Sequence, residues 1–281
     1  VALTGTVPKS YDGNVSATLA AANYSLDGIV GSDAVTLNYP VNGSYDDKQA
    51  GSGKAVTVTG MELQAADASN YQLTSGSVTG NIGLITALPV MVTAHPKSRV
   101  YGGTDPALTY SASPALIAGD TFSGSLVRNA GQDVGFYTIN QGTLSLSGNY
   151  SLNFTNAELE ITPATLTVRA DHKIKAYNQP NPPLTASYLG LVNGDDPGTA
   201  VLIPPGLSTT ALDDSPAGDY SITASGGTYS QNYTVLYLAG TLPVGSTTPV
   251  ITLADISKTY GDDDFDPEAL SPSPVPITYS S

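Results

Sequence analysis

Hydrophobic and polar residues alternate along many short segments of this chain. In residues 90–94 and 166–170, for example, Val, Leu or Ala stands at every second position. Gly and Pro, 29 and 20 in number, divide such segments at intervals of roughly 8 to 12 residues. This alternation is typical of an all-β sandwich or barrel, and no amphipathic helix of three turns stands out. The pattern predicts an all-β protein, with a short helical turn at most, near 116–120 or 189–193.

A second pattern repeats over longer distances. In four places a basic residue stands two positions before a tyrosine, and a turn rich in Gly, Asp, Asn and Pro follows. We call these the opening tyrosines: Tyr11, Tyr101, Tyr177 and Tyr260. Successive opening tyrosines are 76 to 90 residues apart, which is longer than a helical or leucine-rich repeat. This spacing suits small domains in tandem, each just large enough to fold alone.

Two further landmarks follow each of the first three opening tyrosines in the same order. The first is a Gly/Asp turn, at residues 31–33, 119–120 and 194–195. The second is an Asn-Tyr pair whose tyrosines we call the closing tyrosines: Tyr71, Tyr150 and Tyr233. These landmarks predict three self-contained modules, which we call the first, second and third blocks: residues 1–87, 88–163 and 164–244. Residues 245–281 are predicted to be a linker and the first strands of a fourth module, so we expect the chain to be part of a longer protein.

These motifs resemble two families of bacterial surface repeats. The first block resembles a YDG domain, through Tyr11-Asp12-Gly13, the turn at 31–33, the segment 51–58 and Asn70-Tyr71. The second resembles an MBG domain of the type opened by Tyr-Gly-x, through residues 101–106 and Asn149-Tyr150. The third block is similar but has Asn178 where that type has Gly, and the fourth is similar to another MBG variant. The resemblance implies a large, exported bacterial adhesin whose stalk is built from such modules.

For the topology of each module we favour a small immunoglobulin-like β-sandwich. The alternative is a β-grasp arrangement, which needs one real helix per module. Neighbouring modules are joined by very short connections, such as the Thr-Pro-Ala of residues 162–164. Because a short, partly proline-set linker restricts rotation, the sequence predicts a tandem array that forms an elongated, semi-rigid rod.

The opening and closing tyrosines are interpreted as structural residues. We expect each ring to fill the core of its own module while its hydroxyl bonds a buried backbone group, as in the tyrosine corner of sandwiches. The other interpretation is a platform on which a carbohydrate stacks. The preceding basic residue is expected to lie over the ring edge or to pair with the Asp of the Gly/Asp turn. The Asn before each closing tyrosine is expected to bond its own backbone in a turn.

Charge and composition exclude several classes of function. Lys and Arg number 10 against 24 Asp and Glu, a net charge of −14, which disfavours binding to nucleic acid or to anionic lipid. The chain has no Cys, so disulfides and thiolate metal sites are excluded. No apolar run reaches the roughly 18 residues of a membrane-spanning helix, so we expect no membrane insertion in this segment. His95 and His172, the two histidines, lie in different modules, and we expect no enzymatic activity.

One acidic cluster is a candidate calcium site. Asp262, Asp264 and Asp266 stand at alternate positions, but the residues that follow do not complete a helix-flanked calcium loop. The interpretation favoured from the charge pattern is that the acidity serves solubility and that the chain holds no cofactor.

The expected function is that of a spacer. We predict a repetitive stalk segment of an extracellular bacterial adhesin, which projects a binding region for cell adhesion or biofilm formation. Its partners are then further repeats of the same polypeptide. The alternative is that the repeats themselves bind glycans, or a host or neighbouring-cell protein, through their loops.

Overall fold

The computed structural model of the chain is all-β and describes residues 1–246. Regular structure in this part is almost entirely strand, with one four-residue α-helix and two short 3-10 helices, Ala21–Asn23 and Ala68–Asn70. The all-β prediction from the alternating pattern is therefore confirmed. The predicted fourth module, with Tyr260 and the acidic residues Asp262, Asp264 and Asp266, lies outside the described residues.

The first block has nine strands. They are β1 (Ala2–Leu3), β2 (Val7–Ser10), β3 (Ser16–Thr18), β4 (Tyr24–Ser25), β5 (Thr36–Leu37), β6 (Asn42–Tyr45), β7 (Gly51–Thr59), β8 (Leu63–Gln64) and β9 (Ser77–Thr86).

Five of these strands form the main sheet of the first block, in the order β2-β9-β7-β6-β3. β2 and β9 run parallel, and the other neighbours run antiparallel. Because alternate side chains of a strand share a face, Val56 and Val58 of β7 are buried together. Tyr45 at the end of β6 is buried beside them and donates its hydroxyl to the carbonyl of Val7, at 2.8 Å.

The second block has seven strands. They are β10 (Leu88–Ala94), β11 (Lys97–Val100), β12 (Tyr110–Ser113), β13 (Val127–Arg128), β14 (Gly135–Asn140), β15 (Tyr150–Thr155) and β16 (Ala157–Thr162). A three-stranded sheet has the order β12-β10-β15 and a four-stranded sheet the order β11-β16-β14-β13. β10 pairs in parallel with β15, which begins at the closing tyrosine, with Leu88 opposite Tyr150.

The third block repeats this plan. Its elements are β17 (Ala164–Ala170), β18 (Lys175–Ala176), β19 (Ala186–Leu189), α1 (Pro197–Ala200), β20 (Val201–Ile203), β21 (Gly206–Thr209), β22 (Gly218–Ser225), β23 (Thr228–Tyr229), β24 (Tyr233–Leu238) and β25 (Gly240–Gly245). The sheets β19-β17-β24 and β18-β25-β22-β21 match those of the second block strand for strand. β17 again pairs in parallel with the strand that begins at the closing tyrosine, with Ala164 opposite Tyr233.

These mixed sheets bear on the predicted topology. An immunoglobulin-like sandwich is built from antiparallel sheets. Here each of the three blocks contains a pair of parallel strands. The β-grasp alternative needs a helix in every module, and α1 is the only α-helix among residues 1–246. The predicted helical turns at 116–120 and 189–193 are wrong: both places hold a tight reverse turn, and α1 begins later, at Pro197.

The chain divides into two compact units. The first comprises Val1–Arg99 with Thr104–Ile161, and the second comprises Val100–Gly103 with the described residues of 162–246. The first unit therefore holds both the first block and nearly all of the second. One cluster of buried side chains runs through it, from Val7 and Val56 to Val90, Val92 and Tyr150. The expectation that the first two blocks have self-contained cores is wrong, because they share this cluster.

Candidate functional site

The opening tyrosine of the first block lies against the second block. Tyr11 is buried, with 2% of its surface exposed, and its hydroxyl donates to the carboxylate of Asp120 at 2.9 Å. The closing tyrosine Tyr150 donates to the same carboxylate oxygen, at 2.6 Å. The two rings meet edge to face, with centroids 5.4 Å apart and planes at 76°. We call this arrangement of Tyr11, Asp120 and Tyr150 the first joint.

The Gly/Asp turn supplies the frame of the first joint. The amide of Asp120 donates to the carbonyl of Ile117 at 3.0 Å, which closes a tight turn over Ala118 and Gly119. Gly119 has φ +94°, a conformation that favours glycine. The amide of Ile117 in turn donates to the hydroxyl of Tyr150 at 3.0 Å. The turn thereby fixes the closing tyrosine, and the carboxylate that it presents accepts from both phenols.

The electrostatics of the first joint follow from this geometry. Burial, followed by the hydrogen bond to Asp120, raises the pKa of Tyr11 and likewise that of Tyr150. The phenols that donate to Asp120, Tyr150 first and Tyr11 second, hold the pKa of that carboxyl below its usual value. The joint is therefore most stable with both phenols protonated and the carboxylate charged.

The second unit contains the same arrangement, which we call the second joint. Tyr101, the opening tyrosine of the second block, belongs to this unit and is buried. It donates to the carboxylate of Asp195 at 3.0 Å, and the closing tyrosine Tyr233 donates to the same oxygen at 2.7 Å. The ring centroids are 5.6 Å apart and the planes lie at 82°. The turn is again closed by the amide of Asp195 on the carbonyl of Val192, at 3.0 Å.

The second joint repeats one further hydrogen bond of the first joint and adds another. The amide of Val192 donates to the hydroxyl of Tyr233 at 3.1 Å, as Ile117 does in the first joint, and Asn193 adds a bond from its side-chain amide to Tyr101 at 3.0 Å. The pKa of Tyr233 is raised to about 12, chiefly by burial; the Val192 amide opposes this rise and the bond to Asp195 contributes to it.

Glycine is required where the opening tyrosine meets the turn. Gly13, with φ +78°, lies so close to Ile117 that an added Cβ would come within 2.6 Å of its side chain. Gly102, with φ +77°, stands in the same relation to Val192, also at 2.6 Å. Both joints therefore need the glycine for its backbone conformation and for the space it leaves.

The comparisons with known proteins agree with the repeated plan. Residues 90–160 and 166–243 each match the MBG domain of the YGX type, and together they make up more than half of the chain. The chain belongs to the MBG domain family of the YGX type. Residues 1–79 match the YDG domain, so the resemblance of the first block is confirmed as well. No curated protein and no solved structure matches the chain.

The opening tyrosines do not have the hydroxyl partner expected from the sequence. Tyr11 and Tyr101 were expected to bond a buried backbone group, but their acceptors are the carboxylates of Asp120 and Asp195. The tyrosine-corner bond belongs to the Gly-x-Tyr tyrosines of the two MBG domains. Tyr137 donates to the carbonyl of Asp133 at 2.8 Å, and Tyr220 donates to that of Pro216 at 3.0 Å, in each case four residues back.

In the three described cases, the basic residue before the opening tyrosine bonds to the turn that follows it. In the YDG domain Lys9 pairs with Asp12 at 2.6 Å and also lies over the ring of Tyr45, 5.5 Å from its centroid. In the first MBG domain Arg99 pairs with Asp105 at 2.7 Å. Its counterpart in the second MBG domain, Lys175, is buried and bonds the carbonyl of Gln179 at 3.1 Å. The expected pairing with the Asp of the Gly/Asp turn is wrong.

The Asn before a closing tyrosine also has a role that differs from the expected turn bond. In the first MBG domain Asn149 is buried, and its side-chain oxygen accepts from the amide of Ala50 at 2.9 Å. Its side-chain nitrogen donates to Gln49 at 2.6 Å. Both partners belong to the YDG domain. Asn149 therefore ties the YDG domain to the first MBG domain beside the first joint.

The opening and closing tyrosines of the described residues fall into two groups by burial. Tyr71 and Tyr177 are half-buried, whereas the other described opening and closing tyrosines, Tyr11, Tyr101, Tyr150 and Tyr233, are buried.

Residues 1–246 contain no group of three or more His, Cys, Asp or Glu that could hold a metal ion. In the same range, no helix has the length and apolar character needed to cross a membrane.

Sequence reasoning identified all the tyrosines of the joints but not what they contact. It missed Ile117 and Val192, which set the glycine requirement, and it missed the bridging role of Asn149. One signal could have found the joints: an Asp occurs at the end of every Gly/Asp turn. An acceptor that recurs in step with two phenols is a natural partner for both.

Proposed function

We propose that this chain is a spacer segment of an extracellular bacterial adhesin and that it resists tension along its length. The observation that carries the proposal is the pair of joints, in which an opening tyrosine is held by the Gly/Asp turn and closing tyrosine of the block that follows. Membership of the MBG and YDG families is consistent with adhesin-type repeats. In this proposal the segment has no catalytic role and no cofactor, and it holds a binding region away from the cell.

The joints suit this role better than independent modules on loose linkers would. Only Ala87 separates β9 from β10, and only Pro163 separates β16 from β17. Burying two tyrosine rings at each joint adds apolar contact and an edge-to-face ring pair, and such a pair contributes about 0.5–1.5 kcal/mol beyond its buried area. Tension applied along the chain then meets a packed contact as well as a flexible backbone.

The proposal is tested by pulling the full chain from its ends in single-molecule force measurements. The joint variant carries Tyr11→Phe and Tyr101→Phe, which remove one hydroxyl from each joint. Its matched control carries Tyr137→Phe and Tyr220→Phe, which remove the two tyrosine-corner hydroxyls. We expect the joint variant to lower the force of the first rupture event, and the control to lower it less. An equal effect would show that the joints do not bear the load.

A second candidate function is favoured by one observation. Tyr229 and Tyr237 in the third block form an edge-to-face pair, with centroids 6.5 Å apart, and Tyr237 is 36% exposed. Exposed Leu202 and Ile203 lie on β20, which pairs with the strand of Tyr229. Such a surface suits the stacking of a sugar ring, as expected if the repeats themselves bind glycans.

A glycan array probed with the full chain separates the two functions. The spacer proposal predicts no binding above that of a non-binding protein of equal charge. Binding that is lost in Tyr237→Ala and kept in Tyr220→Ala would favour the binding array instead.

A further inference from the structure

The first block contains a third copy of the turn found in both joints. The amide of Asp33 donates to the carbonyl of Val30 at 3.3 Å and closes the turn. The amide of Val30 donates to the hydroxyl of the closing tyrosine Tyr71 at 3.0 Å, and that hydroxyl donates to the carboxylate of Asp33 at 2.7 Å. These three bonds repeat those made by Ile117, Asp120 and Tyr150. We call Val30, Asp33 and Tyr71 the open socket.

Within the described part of the chain, no opening tyrosine lies in the open socket. In both joints the Asp accepts from two phenols, whereas Asp33 accepts from Tyr71 alone among the side chains of residues 1–246. No aromatic ring in that range pairs with Tyr71. Val30 is 71% exposed, whereas its counterparts Ile117 and Val192 are half-buried. The frame is formed, but its apolar side is uncovered.

A cavity of about 180 Å³ lies beside the open socket. Its lining includes Tyr71 and the apolar side chains Val1, Leu26, Leu73 and Val78. In the second and third blocks the residues after the closing tyrosine pair with a parallel strand. Tyr71 and residues 72–76, by contrast, belong to no strand. The first block therefore offers an uncovered backbone edge and an apolar hollow next to the same tyrosine.

One opening tyrosine, Tyr177, forms no joint with any other residue in the range 1–246. The amide of Tyr177 donates to the carbonyl of Gly245 at 3.2 Å, just as the amides of Tyr11 and Tyr101 each donate at 2.8 Å to the end of a neighbouring strand. Asn178 has φ +59° and so takes the left-handed conformation that Gly102 has in the second joint. The hydroxyl of Tyr177 has no hydrogen-bond partner among the described residues. The backbone of this loop is shaped like those that fill the joints. Asn178 carries a Cβ where Gly102 has none, and the exposed side chain of Val30 has room to turn away from it.

We propose that the open socket binds the opening-tyrosine loop of another module of this type, and that the Tyr177 loop of a second copy is such a loop. The phenol donates to Asp33, its ring packs edge to face on Tyr71, and its loop covers Val30. The result is head-to-tail joining of copies. This inference goes beyond the spacer role and does not depend on where the protein acts.

Cross-linking between two copies tests the proposal, because the chain has no Cys of its own. In the first joint Gly13 lies against Ile117, and in the second joint Gly102 lies against Val192. These glycines stand one or two residues after the opening tyrosine, and Ile117 and Val192 are the counterparts of Val30. A chain carrying Val30→Cys is mixed with one carrying Asn178→Cys under mild oxidation. The matched control replaces the first partner with Val41→Cys, since Val41 is also exposed, at 57%. Each thiol's reactivity towards a small disulfide reagent is measured first and used to normalise the rates.

The expected result is that Val30→Cys forms the mixed disulfide with Asn178→Cys at least tenfold faster than Val41→Cys does. Adding Tyr177→Ala to the Asn178→Cys chain should remove this advantage, and so should adding Asp33→Ala to the Val30→Cys chain. Equal normalised rates for Val30→Cys and Val41→Cys would overturn the proposal. So would an advantage that survives Tyr177→Ala, because the contact would then not be made through the phenol.

Discussion

The first joint and the open socket have the same hydrogen-bonded frame but very different burial. In each, a tight turn ends in Asp, and a closing tyrosine accepts from the turn's first amide and donates to its carboxylate. Tyr150 is 7% exposed beneath Tyr11, whereas Tyr71 is half-buried and Asp33 is exposed. The frame therefore forms without its second tyrosine. What the opening tyrosine adds is the exclusion of water and a second donor to the carboxylate.

The largest expected effect comes from removing the ring that makes the two sites differ. Tyr11→Ala should lower the free energy of local unfolding around Asp120 by about 3–5 kcal/mol, because it leaves a cavity at a fully covered site. Tyr71→Ala should cost clearly less around Asp33, since its ring is partly solvated already. Amide hydrogen exchange of the two turns, followed by mass spectrometry in the full chain, measures both. Equal losses in the two variants would mean that burial is not what separates the sites.

Adding a Cβ at Gly102 tests how closely the opening-tyrosine loop approaches Val192. Gly102→Ala should cost about 2–3 kcal/mol, because it adds a clash with Val192 to the strain of a left-handed alanine. The matched control is Gly119→Ala: its φ is also positive, at +94°, but an added Cβ there would meet nothing within 4 Å. It should cost only about 1 kcal/mol. Hydrogen exchange is the measurement, and comparable costs would contradict the close approach.

Removing one hydroxyl separates the hydrogen bond from the ring. Tyr101→Phe should cost about 1–2 kcal/mol, because the Asp195 carboxylate loses one of its two phenol donors while the ring stays in place. Tyr177→Phe should change little, since its hydroxyl has no partner among the described residues. The same exchange measurement on residues around Asp195 gives the cost. An equal free-energy cost in both variants would show that the cost does not come from the hydrogen bond to Asp195.

The smallest effect expected is on the pH dependence of the joints. The pKa of Asp120 is lowered by its two phenols, so its contribution is present above the ordinary carboxyl value of 3.8 and is lost as the pH falls below it. The pKa of Tyr233 is raised from 10.0 to about 12, so its contribution is complete below pH 10 and is lost as the pH rises towards 12. The NMR shifts of the Ile117 and Val192 amides, followed against pH, report these limits. An Ile117 signal in Asp120→Asn that still moves as in the parent would contradict the acid limit.

Much of the fold could be predicted because it is local. Alternation in residues 90–94 and 166–170 gave β10 and β17, and the recurring Gly and Asp gave the turns. The third block departs from the motif by having Asn178 in place of glycine. Its loop nevertheless keeps the left-handed conformation at this position, because Asn tolerates it better than most residues do. These features depend on neighbours in sequence, which a single chain displays directly.

The contacts of the joints could not be predicted in the same way. A repeat shows that a tyrosine recurs, but every copy of the motif has the same residues, so the pattern does not say which copy touches which. Tyr11 is interpreted from the sequence as a core residue of its own block, by analogy with the tyrosine corner. Nothing in a single chain indicates that it contacts Tyr150, 139 residues away, rather than Tyr71, 60 residues away. In the structure Tyr11 directly follows β2, and its ring packs on Tyr150 of the next block.

The two joints also accept tyrosines from different families. Tyr11 comes from a YDG domain and Tyr101 from an MBG domain, yet each is received by an MBG turn through the same atoms. Genetic duplication, loss or exchange of a whole block would therefore bring together ends that already fit. Arrays of this kind can change in length and order over evolution without the invention of a new contact at each boundary.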